Sequence, residues 1–391
     1  MLDIRNFDRL KEVGTPFYFY DIDLFKETVE SIVRLSARYS IKVHYAVKAN
    51  VEDRILNFLS ASGIGADCVT GNEVICASEH GFAPSDIFLA GVGKTDREIR
   101  TALETGIGSL NVESIPEMEA IERIASEMGV IAPVSFRVNP NIDPHTHKYI
   151  TTGLEENKFG ISAYEFDAAV EKVKSCPHLG FEGVQFHIGS QITDIDNVFS
   201  TESKCAREIV DYFEGCGLKV SHIDFGGGLG VDYESPDSHL VPEFERWFKA
   251  LRTYFPMDCG YELHVEPGRA LVAQCASLIA RVVFVKNGRT KDFAILDAGM
   301  NDLIRPALYG AYHKVENLTA YYDRGDMDES REYDVVGPVC ESSDVWGSGR
   351  KLQKTERGDL IAIRTAGAYG RVMASRYNLH DLAPAYFSDE I

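Results

Sequence analysis

Ile41-Lys42-Val43-His44-Tyr45-Ala46-Val47-Lys48-Ala49-Asn50 is the stretch on which the fold turns. Its run of apolar and aromatic residues, with Val at two positions, predicts a buried strand that ends on a lysine. Lysine is seldom buried without a partner, and in barrel enzymes the exits of buried strands carry the reactive groups. Desolvation there lowers an amine's pKa and makes it nucleophilic enough to form a Schiff base. The competing reading is a solvated lysine at a strand end. What separates the two is the set of residues that end the later strands.

Upstream, Pro16–Tyr20 is aromatic-rich and strand-like, and Asp21 is placed to cap a helix. Apolar residues at Leu24, Val29, Ile32, Val33 and Leu35 predict that helix over Ile22–Tyr39. Downstream an alternation begins. Strands are expected near 41–47, 64–69, 86–91, 108–112, 133–138, 182–187, 221–225 and 261–265. Amphipathic stretches between them include Glu52–Ser60, Asp96–Glu104, Ile115–Met128, Ala163–Lys174, Asn197–Phe213 and Val241–Tyr254. Eight such units match an α/β fold of the (β/α)8 TIM-barrel type, with a doubly wound open sheet as the alternative. After about residue 275 long helical periodicity fades, and Gly337-Pro338 and Gly347-Ser348-Gly349 punctuate β-rich sequence. The expected partition is a barrel over 30–275 and an all-β, Greek-key or sandwich-like domain over 276–391 that also takes in 1–29.

The chain has 391 residues, 45% hydrophobic and 26% charged, ordinary values for a globular protein. A net charge of −20 argues against nucleic acid or anionic membrane as a partner. Eight cysteines, at 68, 76, 176, 205, 216, 259, 275 and 340, include no C-x-x-C pair. That suits free thiols in a reducing compartment rather than disulfides or a zinc site. Met1–Arg5 shows no charged-then-apolar leader, and no apolar run approaches membrane-spanning length, so a cytoplasmic enzyme is expected.

Reading the strand ends in order gives Lys48, Asp67, Arg137, then His187-Ile188-Gly189-Ser190. The loop Gly226-Gly227-Gly228-Leu229-Gly230 and Glu266-Pro267-Gly268-Arg269 follow. The glycine run comes after the seventh barrel strand, where such barrels bind phosphate through backbone N–H groups. It is not a dinucleotide fingerprint. Gly91-Val92-Gly93-Lys94-Thr95 has the tail of a P-loop, but Phe88 stands where the first glycine belongs. His145 and His147 lack a third ligand at metal spacing, so no metal is expected.

A lysine, a phosphate loop and a carboxylate together describe pyridoxal 5′-phosphate. The lysine holds the aldehyde, the glycine N–H groups hold the phosphate, and Glu266 keeps the ring nitrogen protonated. His187 is expected flat against the ring, with Ser190 on the phosphate. On these residues the chain resembles the alanine-racemase-like, fold type III pyridoxal-phosphate decarboxylases. The matching segments are Tyr45–Asn50, His187–Gln191, Gly226–Gly230, Glu266–Arg269, Asp297–Asp302, Arg305–Tyr309, Gly337–Asp344 and Gly367–Gly370, nearly the whole chain in order. The resemblance implies that Lys48 is the Schiff-base lysine and that Asp67, Arg137, Gly227, Gly228, Glu266, Gly268, Arg269 and Tyr369 belong to the cofactor site. It also implies that Cys340 is a catalytic acid reaching into the site of the other subunit of a homodimer. Val92 departs from the family's loop, where an asparagine-type residue is expected.

The resemblance further implies decarboxylation of meso-2,6-diaminopimelate to L-lysine and CO2. That substrate carries a second carboxylate and a second ammonium. Arg305 offers a fork for the far carboxylate, Tyr309 another donor, and Glu341 a partner for the far ammonium, beside Arg269 and Tyr369. Relatives acting on ornithine or arginine carry, by resemblance, Asp after the cysteine. Decarboxylation of ornithine, arginine or carboxynorspermidine, racemisation on the same fold, and non-catalytic cofactor binding are the rival functions.

Overall fold

The strands of the computed structural model, numbered along the chain, begin with β1 (Phe17–Tyr20). Alternating with helices come β2 (Ile41–Ala46), β3 (Gly65–Cys68), β4 (Ile87–Leu89), β5 (Ser109–Val112), β6 (Ala132–Arg137), β7 (Leu179–Gln185), β8 (His222–Asp224) and β9 (Glu262–Val265). Then follow β10 (Ala276–Asn287), β11 (Asp292–Leu296), β12 (Val315–Asn317), β13 (Ser330–Val336), β14 (Val345–Gln353), β15 (Leu360–Ile363) and β16 (Ala385–Phe387). The structure describes residues 4, 7–140, 158–325 and 330–391.

Strands β2 to β9 pair in sequence order, all parallel, and β9 returns to β2 with Ile41 opposite Leu263 and Val43 opposite Val265. The sheet therefore has no edge, which excludes the open doubly wound alternative and gives the expected barrel. The intervening helices are punctuated as their sequences demand. Thr95 and Glu98 form a reciprocal capping box at Asp96–Thr105, and Ser114 caps Ile115–Met128. Both helices end on a left-handed glycine, Gly106 and Gly129. Arg252 donates to the carbonyls of Tyr39 and Ser40, taking up acceptors left open where the helix Ile22–Tyr39 ends.

The remaining strands form a mixed sheet in the order β12-β15-β10-β11-β13-β14, with β1 joined to β10 and β16 joined to β1. The aromatic N-terminal strand thus pairs within this second sheet, Phe17 opposite Ile279. Packing divides the chain into a barrel unit, 29–230 with 243–268, and a β unit, 1–28, 231–242 and 269–391. Two stretches that sequence reading places in the barrel, 231–242 and 269–275, pack with the β unit. No helix among the described residues is long and apolar enough to cross a membrane.

Part of the barrel interior is aromatic and polar at once. His44, His222 and His264 are buried and lie against the Phe88 ring, with centroids 4.2, 5.6 and 5.5 Å away. His44 bonds through Nδ1 to the Asp86 carbonyl (3.0 Å) and through Nε2 to His264 Nδ1 (2.8 Å). His222 Nε2 meets Ser135 Oγ at 2.9 Å, and Ser135 meets Ser109 at the same distance. Gly65 is required by this packing, since a Cβ there would lie 2.4 Å from the Asp86 carbonyl oxygen and 2.5 Å from His44 Nδ1. Burial, the leading cause in each case, holds His44 and His222 neutral down to about pH 4.

A stability profile follows. In the unfolded chain these imidazoles take up protons near their ordinary value of about 6.5, so the unfolded state binds more protons between there and pH 4. Their contribution is intact above that window and is lost as the pH falls through it. His222→Gln should flatten the fall of unfolding free energy by up to about 1.4 kcal/mol per pH unit. Urea titrations of both proteins at several pH values between 7 and 4 test this, and parallel profiles would refute it.

Candidate active site

β2 runs into a single 3-10 turn, Val47–Ala49, that carries Lys48 out of the barrel wall. Its amine lies 3.3 Å from Oδ2 of Asp67, which sits near the end of the neighbouring strand β3. The lysine side chain is 38% exposed and Asp67 only 1%. The amine is therefore not sealed in apolar surroundings, as the sequence led one to expect, but set against a buried carboxylate. The other oxygen of Asp67, Oδ1, is buried and meets no donor among the described residues.

Across the barrel three side chains from the ends of β7, β8 and β9 meet. Gln185 donates to Glu266 Oε2 at 2.9 Å, and Asp224 Oδ1 accepts the Gly226 N–H at 2.8 Å. Burial, then the proximity of Asp224 and Asp67, pushes Glu266 well above the carboxylate range. Burial likewise raises Asp224 to about 7. Two acids this close in a dry site hold a proton between them. Glu266 Oε1 is buried and accepts from no N–H group among the described residues, which leaves it to Asp224 and to a ligand. Behind the pair, Glu202 on the helix Ile195–Gly215 is fully buried, with burial first and Asp224 second keeping it protonated.

The glycine loop packs too closely for side chains. A Cβ would lie 2.3 Å from the Phe186 carbonyl oxygen at Gly226, 2.3 Å from that of Glu266 at Gly227 and 2.7 Å from that of Gly189 at Gly228. Gly226 and Gly228 also have φ of +63° and +105°, conformations that favour glycine. Some of the loop's N–H groups are already engaged. Gly226 donates to Asp224, Gly227 to His187 Nδ1 (3.3 Å) and Gly230 to the Ile192 carbonyl. Gly228 and Leu229 are thus the backbone donors left for an anion. His187 accepts at Nδ1, and burial, then Lys48 and Arg137, hold it well below its usual range, so it is neutral. Ser190, half-buried, lies on the segment that faces this loop through the Ile192–Leu229 bridge. Gly268 packs against Ala46 and Ala49, flanking the turn that carries Lys48.

Arg137, at the end of β6, donates to Glu113 Oε1 at 2.6 Å, both side chains buried, and lies over the Phe159 ring at 4.7 Å. Glu113 also accepts the N–H groups of Gly91 and Gly160. Lys94 in turn donates to Gly91 O, Asn111 O and Glu117. The segment Gly91–Thr95 is therefore a strut beneath Arg137, with its lysine bound to protein acceptors. Glu113, one residue beyond β5, went unread in the sequence although the same strand-end rule reaches it.

In the β unit, Arg269 donates to the Tyr233 hydroxyl at 2.5 Å and lies over the Tyr369 ring at 4.9 Å. Arg305 lies over the other aromatic contact of this group, Tyr233, at 4.8 Å, and its Nη1 is 2.9 Å from His313 Nε2. Tyr369 has φ of +55°, a strained conformation for a bulky residue. Tyr309, half-buried, ends the short helix Arg305–Tyr309. Cys340 is exposed, and Glu341 accepts the Tyr377 hydroxyl at 2.6 Å. Tyr233, His313 and Tyr377 carry no sequence signal of their own. His145 and His147 lie outside the described residues, among which no cluster of His, Cys, Asp or Glu is placed to hold a metal.

The barrel residues fit pyridoxal phosphate. Glu266 offers a buried oxygen that accepts from no N–H group among the described residues, as a protonated ring nitrogen requires, and the glycine loop is a cradle that side chains cannot enter. Comparison with known proteins agrees. Residues 25–273 match the family described as "Pyridoxal-dependent decarboxylase, pyridoxal binding domain". A protein of Bacteroides thetaiotaomicron named diaminopimelate decarboxylase is 47% identical over 392 residues, covering 100% of both chains. The crystal structure of a point mutant of diaminopimelate decarboxylase from Helicobacter pylori, complexed with L-lysine, superposes with a TM-score of 0.90 at 37% identity, over 98% of this chain and 94% of that one. The arginine decarboxylase of Paramecium bursaria Chlorella virus, 21% identical with a TM-score of 0.85 over 98% of each chain, shares the fold. The chain belongs to the pyridoxal-dependent decarboxylases.

Proposed function

We propose that this chain decarboxylates meso-2,6-diaminopimelate to L-lysine and CO2, with pyridoxal phosphate as its cofactor. Relatives that match it over its full length are diaminopimelate decarboxylases, and one was crystallised with L-lysine. The observation in the chain itself that carries the substrate is Arg305, buried with the neutral partners His313 and Tyr233. A distal carboxylate supplies the counter-charge that this guanidinium lacks among the described residues. Ornithine and arginine have none, and a site that leaves a buried charge unpaired rejects them strongly.

When bound, the cofactor's protonated ring takes up the electron pair left at the α-carbon as the carboxylate departs. Lys48 supplies the amine that tethers the cofactor, and Asp67 holds that amine in place. Glu266, positioned by Gln185, keeps the proton on the ring nitrogen as a carboxylate, the ring's positive charge offsetting the burial that otherwise holds this acid protonated. Gly228 and its loop, with Ser190, hold the phosphate, while the neutral His187 and Arg137 line the cofactor site. Cys340 returns a proton to the α-carbon as general acid. Arg269, Arg305, Tyr309 and Tyr369 receive the carboxylate end of the substrate, and Glu341 its far ammonium.

The β unit is assigned a second task, completion of a homodimer in which Cys340 serves the other copy. Support comes from the exposure of Cys340 and of the apolar side chains Tyr377, Leu379 and Leu382 that follow it. The eight unpaired thiols fit a cytoplasmic enzyme.

Incubation with meso-diaminopimelate, ornithine and arginine should release CO2 and lysine from the first alone; release from ornithine or arginine at a comparable rate would reassign the substrate. Lys48→Ala should abolish both turnover and the visible absorbance of the tethered cofactor, and normal turnover in that variant would remove the tether from Lys48. Cys340→Ala should keep the absorbance and lower kcat by roughly 10²-fold or more. An unchanged kcat would place the proton donor elsewhere.

A further inference from the structure

The β unit holds arginines of two kinds. Arg364 is held by Glu316 at 2.8 Å and Asp237 at 2.7 Å, and Arg324 by both oxygens of Asp359 at 2.7 and 3.0 Å. These are paired structural cations. Arg305 is as buried as Arg364, yet its hydrogen-bond acceptor is an imidazole. His313 is itself fully buried. Its Nδ1 lies 2.8 Å from the Arg364 carbonyl oxygen, which can only accept, so the ring proton resides on Nδ1. Nε2 is then a lone pair, the form needed to accept from Arg305 Nη1 at 2.9 Å. The Tyr233 ring meets the imidazole edge-on at 5.1 Å and the Arg305 guanidinium at 4.8 Å, closing the other side.

We propose that His313 is a specificity-determining positioning residue: a neutral, tautomer-locked acceptor that orients Arg305 without cancelling its charge, so that the charge remains for a substrate carboxylate. An acid at this position would hold the guanidinium equally well and leave it nothing to recruit. Protonation would break the contact, and burial first, Arg305 second, hold the imidazole neutral down to about pH 3. The inference rests on the assignment of Arg305 to the far carboxylate and adds the reason that its neighbour is not an acid.

The test pairs two substitutions of similar size, His313→Gln and His313→Glu, in the holoenzyme, with folding checked by thermal melting. Calorimetry compares L-lysine with 1,5-diaminopentane, the same diamine without a carboxylate. The wild type should prefer L-lysine; if it does not, the Arg305 assignment itself fails, independently of His313. Given that preference, His313→Gln should bind L-lysine within a few-fold of wild type. His313→Glu should lose roughly 10- to 100-fold in L-lysine affinity and little for diaminopentane. Equal losses in both variants, parallel losses for both ligands, or no loss in the glutamate variant would each overturn the proposal. Nitrogen-15 histidine spectra of the wild type, with His313 assigned by its absence from the glutamine variant, give a reading that needs no stable glutamate variant. They should show a neutral ring protonated at Nδ1, and a protonated ring or the other tautomer would also overturn it.

Discussion

Two carboxyl groups cannot both ionise when they share a dry site, and the barrel is built around one such pair. Asp224 ends β8, opposite His264 of the adjacent β9, and Glu266 follows directly on β9, so the exits of two paired strands bring the acids together. Burial and mutual repulsion keep a proton on the pair. Gln185 from β7 fixes one oxygen of Glu266, and the Gly226 N–H fixes one of Asp224. The glycine loop is thus anchored to the same acid that sets the proton affinity of Glu266. A buried acid that gives up its proton reluctantly when alone becomes a good partner for a cationic ring, which supplies the charge that water cannot.

The opposite device operates in the β unit. There the chain leaves buried positive charge facing neutral groups, at Arg305 with His313 and Tyr233, while it pairs Arg364 and Arg324 with acids. Leaving a buried guanidinium without a carboxylate is costly. That cost is tolerated where a ligand's own carboxylate offsets it, and selectivity follows, because a ligand without the carboxylate forgoes the compensation.

Much of this was legible in the sequence because a β/α barrel turns sequence order into spatial order. Lys48, Asp67, Arg137, His187, the glycine loop and Glu266 are spread over more than half the chain, yet each ends a strand, and closure gathers strand ends. The family resemblance added the β-unit residues, which no periodicity marks. What remained unread divides by cause. Glu113 and Asp224 obey the strand-end rule, but Asp224 sits beside a louder signal, the glycine run, and Glu113 stands in no motif. Gln185 and Glu202 matter through burial, which an uncharged amide and a helix-borne acid do not announce. Tyr233 belongs to a stretch that reads as barrel and packs with the other unit. Lys48 shows the limit of the strand-end argument: position was legible, but the carboxylate opposite its amine depends on which residue of β3 faces it.

The same logic separates the two histidine groups. His44, His222 and His264 are neutral because the barrel buries them against Phe88, and their hydrogen bonds run among themselves, a backbone carbonyl and serine. His313 is neutral for a further reason, since it lies against a guanidinium. In the first group the missing charge is a requirement of packing, and any neutral side chain that filled the space would meet it. At His313 it is a requirement of direction as well, because the lone pair must face Arg305 while the proton faces a carbonyl. A residue type that looks alike in the sequence therefore carries two distinct constraints, and only the arrangement of donors and acceptors around each ring tells them apart.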